Sequence, residues 1–207
     1  MRWLRQTEHV NAAAPSPLEV RREGRRQRLL AAALDLFAER GFHATSVDDV
    51  VAVARTSKSA FYAYFESKED CFRVLLDLEG GALMDSVVSG ARQARGGHRA
   101  RLREGIFIFV RTCCERFSVA RLLLVEGVGL SESIEAVRGR LHDAFAGVVE
   151  AEVRLGQAHG EFQGTDADVY GRAVVGAVNE AIGWTLRNGR EPDPDRLAAE
   201  LCSIFGI

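Results

Sequence analysis

Prolines, cysteines and long apolar runs are scarce in this sequence. Only four of the 207 residues are prolines, and apolar residues recur at helical spacing rather than in the alternation typical of strands. We therefore predict an all-α protein. No segment approaches the roughly 20 consecutive apolar residues that cross a bilayer. The N-terminus also lacks the apolar core of a signal peptide, so we expect no membrane association.

Patterns that would indicate an enzyme or a metalloprotein are also missing. The cysteines, which show no C-x-x-C pair and no disulfide-framework spacing, are Cys71, Cys113, Cys114 and Cys202. We therefore expect reduced thiols and a cytoplasmic protein. His142, His159 and Glu161 complete no metal-ligand spacing, and no phosphate-loop, dinucleotide or nucleophile-elbow glycine pattern occurs. The sequence predicts no catalytic residue, no metal and no cofactor.

Charge is nearly balanced over the whole chain but not along it. A net charge of -2 argues against bulk coating of nucleic acid. One short segment is nevertheless rich in arginine, with Arg21, Arg22, Arg25, Arg26 and Arg28. By itself such a segment is typical of a solvated helix start. Directly ahead of a helix-turn-helix pattern, it is typical of a basic arm for site-directed DNA binding.

The stretch from Thr45 to Lys68 predicts two short helices and the start of a long third one. Thr45 and Ser46 precede Asp48 and Asp49 as overlapping capping boxes. The residues behind them repeat apolar side chains at helical spacing. This pattern indicates a short, capped helix with one apolar side.

A tight turn and a second short helix follow. The helical pattern breaks at Arg55, after which Ser57 can cap a helix that we expect to run through Tyr64. Phe61 and Phe65 should point inward because they lie four residues apart. The other faces carry small residues, hydroxyls and a lysine. Such a surface suits the major groove of DNA.

The run A-R-T-S-K-S-A-F-Y-A-Y-F-E-S-K-E resembles the recognition segment of the TetR family of bacterial transcriptional repressors, whose pattern is close to A-G-V-S-K-G-T-L-Y-x-H-F-x-S-K-E. The residues that match in register are Ala54, Ser57, Lys58, Tyr62, Phe65, Ser67, Lys68 and Glu69. The sequence departs from the pattern at Arg55, Ala60 and Tyr64. Arg55 predicts either a strained turn or a different one, and Ala60 removes a hydroxyl that could contact DNA.

The resemblance implies a homodimer that binds a palindromic operator in double-stranded DNA and is released by a small-molecule inducer. Two symmetric heads are also what tight binding needs, since one small head makes few contacts. The residues expected at base edges are Ser57, Ser59, Ala60 and Ala63. The residues expected at phosphates are Thr45, Lys58, Tyr62, Tyr64, Lys68 and, in the arginine arm, Arg25.

We expect three segments along the chain. Residues 1–20 are predicted to be a disordered extension, 21–67 a three-helix DNA-binding head, and 68–207 a helical ligand-binding and dimerisation body. Within the head, a first helix is predicted over 24–40, ended by Gly41. The body pattern predicts helices over 68–95, 99–117, 120–126, 131–159, 165–188 and 194–205.

The last two body helices are the predicted dimer interface. The helix that begins near Asp166 lacks a single polar face and contains Gly171, Gly176 and Gly183, which would let another helix cross closely. The resemblance implies that both helices pair across a two-fold axis. The alternative is that one subunit buries both faces.

An inducer would bind in the body, and apolar residues of its middle helices are the candidates. They are Phe107, Phe109, Cys113, Phe117, Leu123, Phe145, Val149 and Trp184. An apolar lining suggests an apolar or amphipathic ligand, although such residues also pack as plain core. Glu152 interrupts the apolar stripe of its helix. Either that face has turned to solvent there, or Glu152 is a polar group inside a pocket.

Two other functions remain open from the sequence. The protein could act as an activator or respond to a protein partner in place of a small molecule. Alternatively, Arg55 and Ala60 could have disabled the head and left a ligand-binding body.

Overall fold

The computed structural model describes residues 16–207, and every regular element in that range is helical. The elements are α1 (Pro17–Arg40), α2 (Val47–Val53), α3 (Lys58–Tyr62), α4 (Lys68–Gln93), α5 (His98–Glu115), α6 (Phe117–Arg121), a π turn (Leu122–Glu126), α7 (Glu132–Ala158), α8 (Ala167–Arg187) and α9 (Pro194–Ile204). The all-α prediction is confirmed. None of the described helices combines the length and apolarity needed to cross a membrane.

Helix α1 begins earlier than the predicted residue 24. Ser16 caps it by accepting a hydrogen bond from the Glu19 amide at 3.2 Å, and the Glu19 carboxylate accepts one from the Ser16 amide at 2.7 Å. Pro17 then occupies the first helical position. Residues 17–20 of the expected disordered extension are therefore helical, and residues 1–15 lie outside the described range. Gly41, with φ of 82°, ends α1 as predicted.

Four fully buried phenylalanines tie the head to the first turns of α4. Phe37, Phe61, Phe65 and Phe72 are each at most 1% exposed. The rings of Phe37 and Phe72 meet edge to face with centroids 5.2 Å apart. The head and the start of α4 therefore share one core. A movement of α4 must carry the head with it, because packed cores transmit strain.

The body packs α7 against α8 at close range. A Cβ added to Gly171 would lie 2.7 Å from the carbonyl oxygen of Ala146, so this crossing requires glycine. The predicted close approach is thus met inside the subunit at Gly171. Gly176, by contrast, is exposed, and no described atom lies within 4 Å of the position of its missing Cβ.

The short helix predicted over 120–126 is divided between α6 and the π turn. Phe117 begins α6 rather than ending α5. Glu126, at the end of the π turn, is bound by Arg121 at 2.6 Å and approaches Gly41 at the end of α1. This segment therefore joins the body to the head at a second point besides α4.

Candidate DNA-binding surface and effector cavity

Helix α3 presents the predicted groove-facing surface. Ser57 caps it by accepting a hydrogen bond from the Ala60 amide at 3.2 Å. The helix ends at Tyr62, earlier than the predicted Tyr64. The predicted DNA-contact residues that are exposed are Arg25, Ser57, Lys58, Ser59, Tyr62 and Ala63, while Ala60 is half-buried. These residues offer hydroxyls, cations and small side chains on one side of the head.

The turn between α2 and α3 places Arg55 in the left-handed region. Its φ is 51°, a conformation that favours glycine. The sequence predicted either a strained turn or a different one at Arg55, and the structure has the strained turn. Its side chain is exposed.

Thr45 does not lie on this surface. It is 1% exposed, and its hydroxyl donates to the carbonyl oxygens of Gly41 at 2.8 Å and Leu36 at 3.2 Å. The predicted phosphate contact is therefore wrong for Thr45, because its donor is already used inside the head.

Ser46 alone caps α2, in a capping box with Asp49. The hydrogen bond from the Ser46 side chain lowers the pKa of Asp49.

Lys68 makes hydrogen bonds within the head that the sequence did not indicate. Its ammonium donates to the carbonyl oxygens of Phe42 at 2.6 Å and Thr45 at 2.7 Å, and lies 4.1 Å from the centre of the Phe42 ring. Partial burial lowers its pKa. With these donors turned inward, Lys68 clamps the α1–α2 loop to α4. This placement corrects the purely phosphate-directed role predicted for it.

Tyr64 and Lys58 are held by neighbours in this structure. The Tyr64 hydroxyl donates to the carbonyl oxygen of Arg22 at 2.9 Å, which fixes the turn after α3 against the arginine arm. Lys58 pairs with Asp48 at 2.9 Å, and this hydrogen bond raises the pKa of Lys58. Because both partners of that pair are exposed, it is weak and can exchange for a phosphate.

A cavity of about 410 Å³ lies in the body between α4, α5, α7 and α8. Its wall is mostly aliphatic and aromatic, with Val87 and Ala91 from α4, Ile106 and Phe109 from α5, and further side chains from the other two helices. Cavities of this size and lining are typical small-molecule sites.

Only some of the predicted pocket residues line this cavity. Phe109, Phe145 and Val149 do, and Leu123 lines a second cavity of about 310 Å³ that shares Phe109 and Phe145 with the first. The remaining predictions are not met. Cys113 is buried in the core, which raises its pKa to about 12.

The other three predicted residues lie away from both cavities. Phe107 lies between Arg103 and Arg111, with the guanidinium carbons 5.0 and 5.4 Å from its ring centre. Phe117 and Trp184 are 51% and 43% exposed. Helical spacing alone did not separate inner from outer aromatics in these helices.

The cavity has a polar corner that the sequence indicates only through Glu152. Glu152 lines it and accepts hydrogen bonds from His98 Nδ1 at 2.6 Å and Arg101 Nη1 at 3.2 Å. The solvent-facing interpretation of Glu152 is therefore wrong, and the alternative of a polar group in a pocket holds. The interruption of the apolar stripe was the available signal, but nothing in the sequence linked it to His98 on α5.

His98 connects this corner to the end of α7. Because a carboxylate only accepts, the Nδ1 atom of His98 must carry the proton that points to Glu152. The Nε2 atom of His98 lies 3.2 Å from Nδ1 of His159, which also lies 2.8 Å from the carbonyl oxygen of Leu155. The hydrogen bonds thus connect exposed His159 at the end of α7, through buried His98 on α5, to half-buried Glu152 at the cavity.

A helix-turn-helix head joined to a helical body with a ligand-sized cavity defines a class of DNA-binding transcriptional regulators. Two family models match the chain: residues 29–75 match the bacterial regulatory proteins of the tetR family, and residues 95–205 the tetracyclin repressor-like C-terminal domain. The second match alone covers more than half of the 207 residues. The chain belongs to the TetR family.

Individual relatives are similar over most of their length. The HTH-type transcriptional regulator YdgC of Bacillus subtilis is 27% identical over 180 residues, which cover 87% of this chain and 90% of YdgC. The fatty acid degradation regulator FadR of Bacillus halodurans shares the fold with a TM-score of 0.81 at 16% identity, covering 93% and 96%. FadR of Bacillus subtilis in complex with stearoyl-CoA gives 0.80 at 17% identity, covering 86% and 96%.

Proposed function

We propose that this regulator is a dimeric repressor that an amphipathic small molecule releases from a palindromic operator. The observation that carries the proposal is the position of α4. Near its end α4 lines the cavity through Val87 and Ala91, and near its start it enters the core of the head through Phe72. A ligand that favours one position of α4 therefore favours one position of the head.

This arrangement gives the two parts of the chain different proposed functions. We assign DNA binding to residues 21–67, with α1 extended back to Pro17, and ligand binding and dimerisation to residues 68–207. We also propose a cytoplasmic location, which binding to chromosomal DNA would require. A ligand with equal affinity for both head positions would change nothing, so the proposal requires a difference in affinity between them.

The chemistry of the cavity supports an amphipathic ligand. Its wall is apolar over most of its area and polar at one corner, where Arg101 and Glu152 lie. The FadR structure of similar fold holds stearoyl-CoA, a molecule with an acyl chain and a polar group. We propose a ligand of that general type for this cavity.

Exposed apolar residues on the last two helices support the dimer. Val169 and Trp184 on α8 and Ile204 on α9 are 64%, 43% and 73% exposed. Val169, Gly176 and Trp184 are spaced by about two helical turns each and so share one exposed face of α8. Pairing of α8 and α9 with a second copy would cover this face.

The experiment that tests the proposal is selection of bound sites from random duplex DNA, followed by release with amphiphiles. An enriched inverted repeat, and lower transcription from a promoter that carries it, are the expected results. Val149→Trp, which fills the cavity, should keep DNA binding but abolish release. Ala144→Trp, on the exposed side of α7, is the matched control. Only salt-sensitive binding without an enriched site would contradict the proposal.

A further inference from the structure

The lining of the cavity carries more positive than negative charge. Arg92 and Arg101 both line the cavity, and Glu152 is the carboxylate among its lining residues. That carboxylate already accepts from His98 and Arg101. The charged residues of the lining are therefore two arginines and one glutamate, which leaves one positive charge without a carboxylate partner in the cavity.

Arg101 shows this imbalance most directly. Its Nε atom is buried and has no hydrogen-bond acceptor among residues 16–207. Guanidinium groups have five N–H donors in a fixed fork, and here the described contact uses Nη1 alone. A buried donor without a partner costs free energy until an acceptor arrives.

The contacts of His98 and Glu161 hold this fork in place. His98 is buried and donates to Oε1 of Glu152, the same oxygen that accepts from Arg101. The Glu161 carboxylate accepts from the backbone amides of His98 and Arg99 at 2.8 and 2.9 Å. Glu161 thereby caps the start of α5, whose N-cap residue Gly97 has no side chain to do so. The beginning of α5, and with it Arg101, is fixed at the cavity wall.

We propose that the effector of this cavity is an amphiphile with an anionic headgroup, and that Arg101 binds the headgroup. This inference rests on the proposed function, because it assigns chemistry to the same cavity. The headgroup accepts from Nε and the remaining amino group of Arg101, and Arg92 adds a second cation at the mouth. The apolar chain lies along Phe109 and Val174. Glu152 and His98 are positioning residues, and Glu152 competes with the ligand for Arg101.

The arrangement discriminates against other amphiphiles. A cationic headgroup would meet two arginines, and Glu152 is already engaged by two donors. A neutral alcohol supplies one weak acceptor and leaves the charge unbalanced. Charge-assisted hydrogen bonds to an anion are roughly twice as strong as neutral ones, so the preference should be measurable even in an apolar cavity.

The test compares ligands that differ only in their headgroup. Calorimetry on the full-length protein, below the micelle concentration of each ligand, would measure dodecanoate, dodecyl phosphate, dodecanol and dodecyltrimethylammonium. We expect the two anions to bind at least about tenfold more tightly than dodecanol. Dodecanoate and dodecyl phosphate distinguish a carboxylate headgroup from a phosphate headgroup, which carries the larger negative charge.

Substitutions of single residues test whether Arg101 causes the preference for anionic ligands. Arg101→Met should lower anion affinity by about tenfold or more and leave dodecanol affinity unchanged. Arg103→Met, on the outer side of the same helix beside Phe107, is the matched control and should change neither. Glu152→Gln should tighten anion binding, since it removes the competing charge. A variant that merely folds poorly cannot give this gain.

The outcomes separate the two proposals. If dodecanol and dodecanoate bind equally tightly and both release DNA, the headgroup assignment is overturned. The proposal that this cavity binds the effector would still hold. An anion preference that survives in Arg101→Met would overturn the role of Arg101. If no amphiphile binds the wild-type protein, both the headgroup assignment and the proposed ligand release are overturned.

Discussion

Arg55 lies in the turn of the helix-turn-helix with φ of 51°. The left-handed region costs a residue with a Cβ about 1–2 kcal/mol. We expect Arg55→Gly to raise the free energy of unfolding by about 1 kcal/mol, less the entropy that glycine adds to the unfolded chain. Urea unfolding would measure it. Arg55→Ala keeps the Cβ and should give no such gain; an equal gain in both variants would rule out backbone strain as the cause.

Lys68 and Lys58 are two lysines of the head with different partners. Lys68→Met removes the donor shared by the Phe42 and Thr45 carbonyls, so it should destabilise the protein by about 1–2 kcal/mol. Lys58→Met breaks an exposed pair with Asp48. It should leave the free energy of unfolding nearly unchanged and lower the slope of operator affinity against salt by about 1.

Unfolding curves and salt titrations of the same two variants test this assignment. If Lys58→Met destabilises the protein more than Lys68→Met, the clamp attributed to Lys68 is absent. If Lys68→Met alone alters the salt slope, the phosphate contact belongs to Lys68 after all.

At the scale of helices, two glycines on neighbouring elements should respond oppositely to alanine. Gly171→Ala places a Cβ 2.7 Å from the Ala146 carbonyl oxygen, and this overpacking should cost about 1–3 kcal/mol. Gly147→Ala lies on α7 with no described atom near the new methyl, so it should stabilise the helix by about 1 kcal/mol. Thermal unfolding distinguishes them. A neutral Gly171→Ala would mean that α7 and α8 can separate at little cost.

The start of α5 should be sensitive to acid through Glu161. Hydrogen bonds from the amides of Arg99 and His98 hold the pKa of Glu161 below its ordinary 4.5. Its contribution to stability is therefore complete above that ordinary value and is lost as the pH falls through the lowered one. Unfolding midpoints titrated downward from neutral pH should show this step. Glu161→Gln should make the loss of stability in acid smaller without removing it, because Asp49, Glu69 and Glu135 also have lowered pKa values. Glu191→Gln, in the loop before α9, should leave the loss unchanged.

The elements of the head were predictable because their signals are local. Ser57 caps α3 as predicted, Ser67 caps α4 in the same way, and Phe61 and Phe65 are buried. The early start of α1 was also readable, since Ser16 and Glu19 form a capping box. The hydrogen bonds of Thr45 and Lys68 could not be predicted from the sequence. They depend on the direction in which the loop between α1 and α2 points its carbonyl oxygens.

The cavity was predictable only in general character. Periodicity identified the apolar helices that enclose it, but His98 and Glu152 are 54 residues apart in sequence, and only the folded chain brings them together. The π turn was equally unreadable, since the apolar residues of that segment fit an ordinary helix. What could not be predicted is therefore the long-range pairing that gives the cavity its polar corner.

For the whole molecule, dimerisation has a direct test. Trp184→Glu places a charge on the exposed face of α8, and we expect it to dissociate the dimer in sedimentation experiments and to weaken operator binding. Leu78→Glu, at a site 46% exposed compared with 43% for Trp184, should leave the dimer intact. Dissociation by Leu78→Glu alone would place the interface elsewhere.

The π turn at Leu122–Glu126 has a consequence for how this protein tolerates changes of length. A π turn holds one more residue per hydrogen-bonded turn than an α-helix does. Because the π turn already accommodates one extra residue, deleting one residue here would leave α-helical spacing with the following side chains in nearly the same orientation, whereas inserting one would rotate them by about 100°. An insertion would therefore turn Glu126 away from Gly41. In lineages that keep this contact, single-residue deletions should be more frequent here than single-residue insertions.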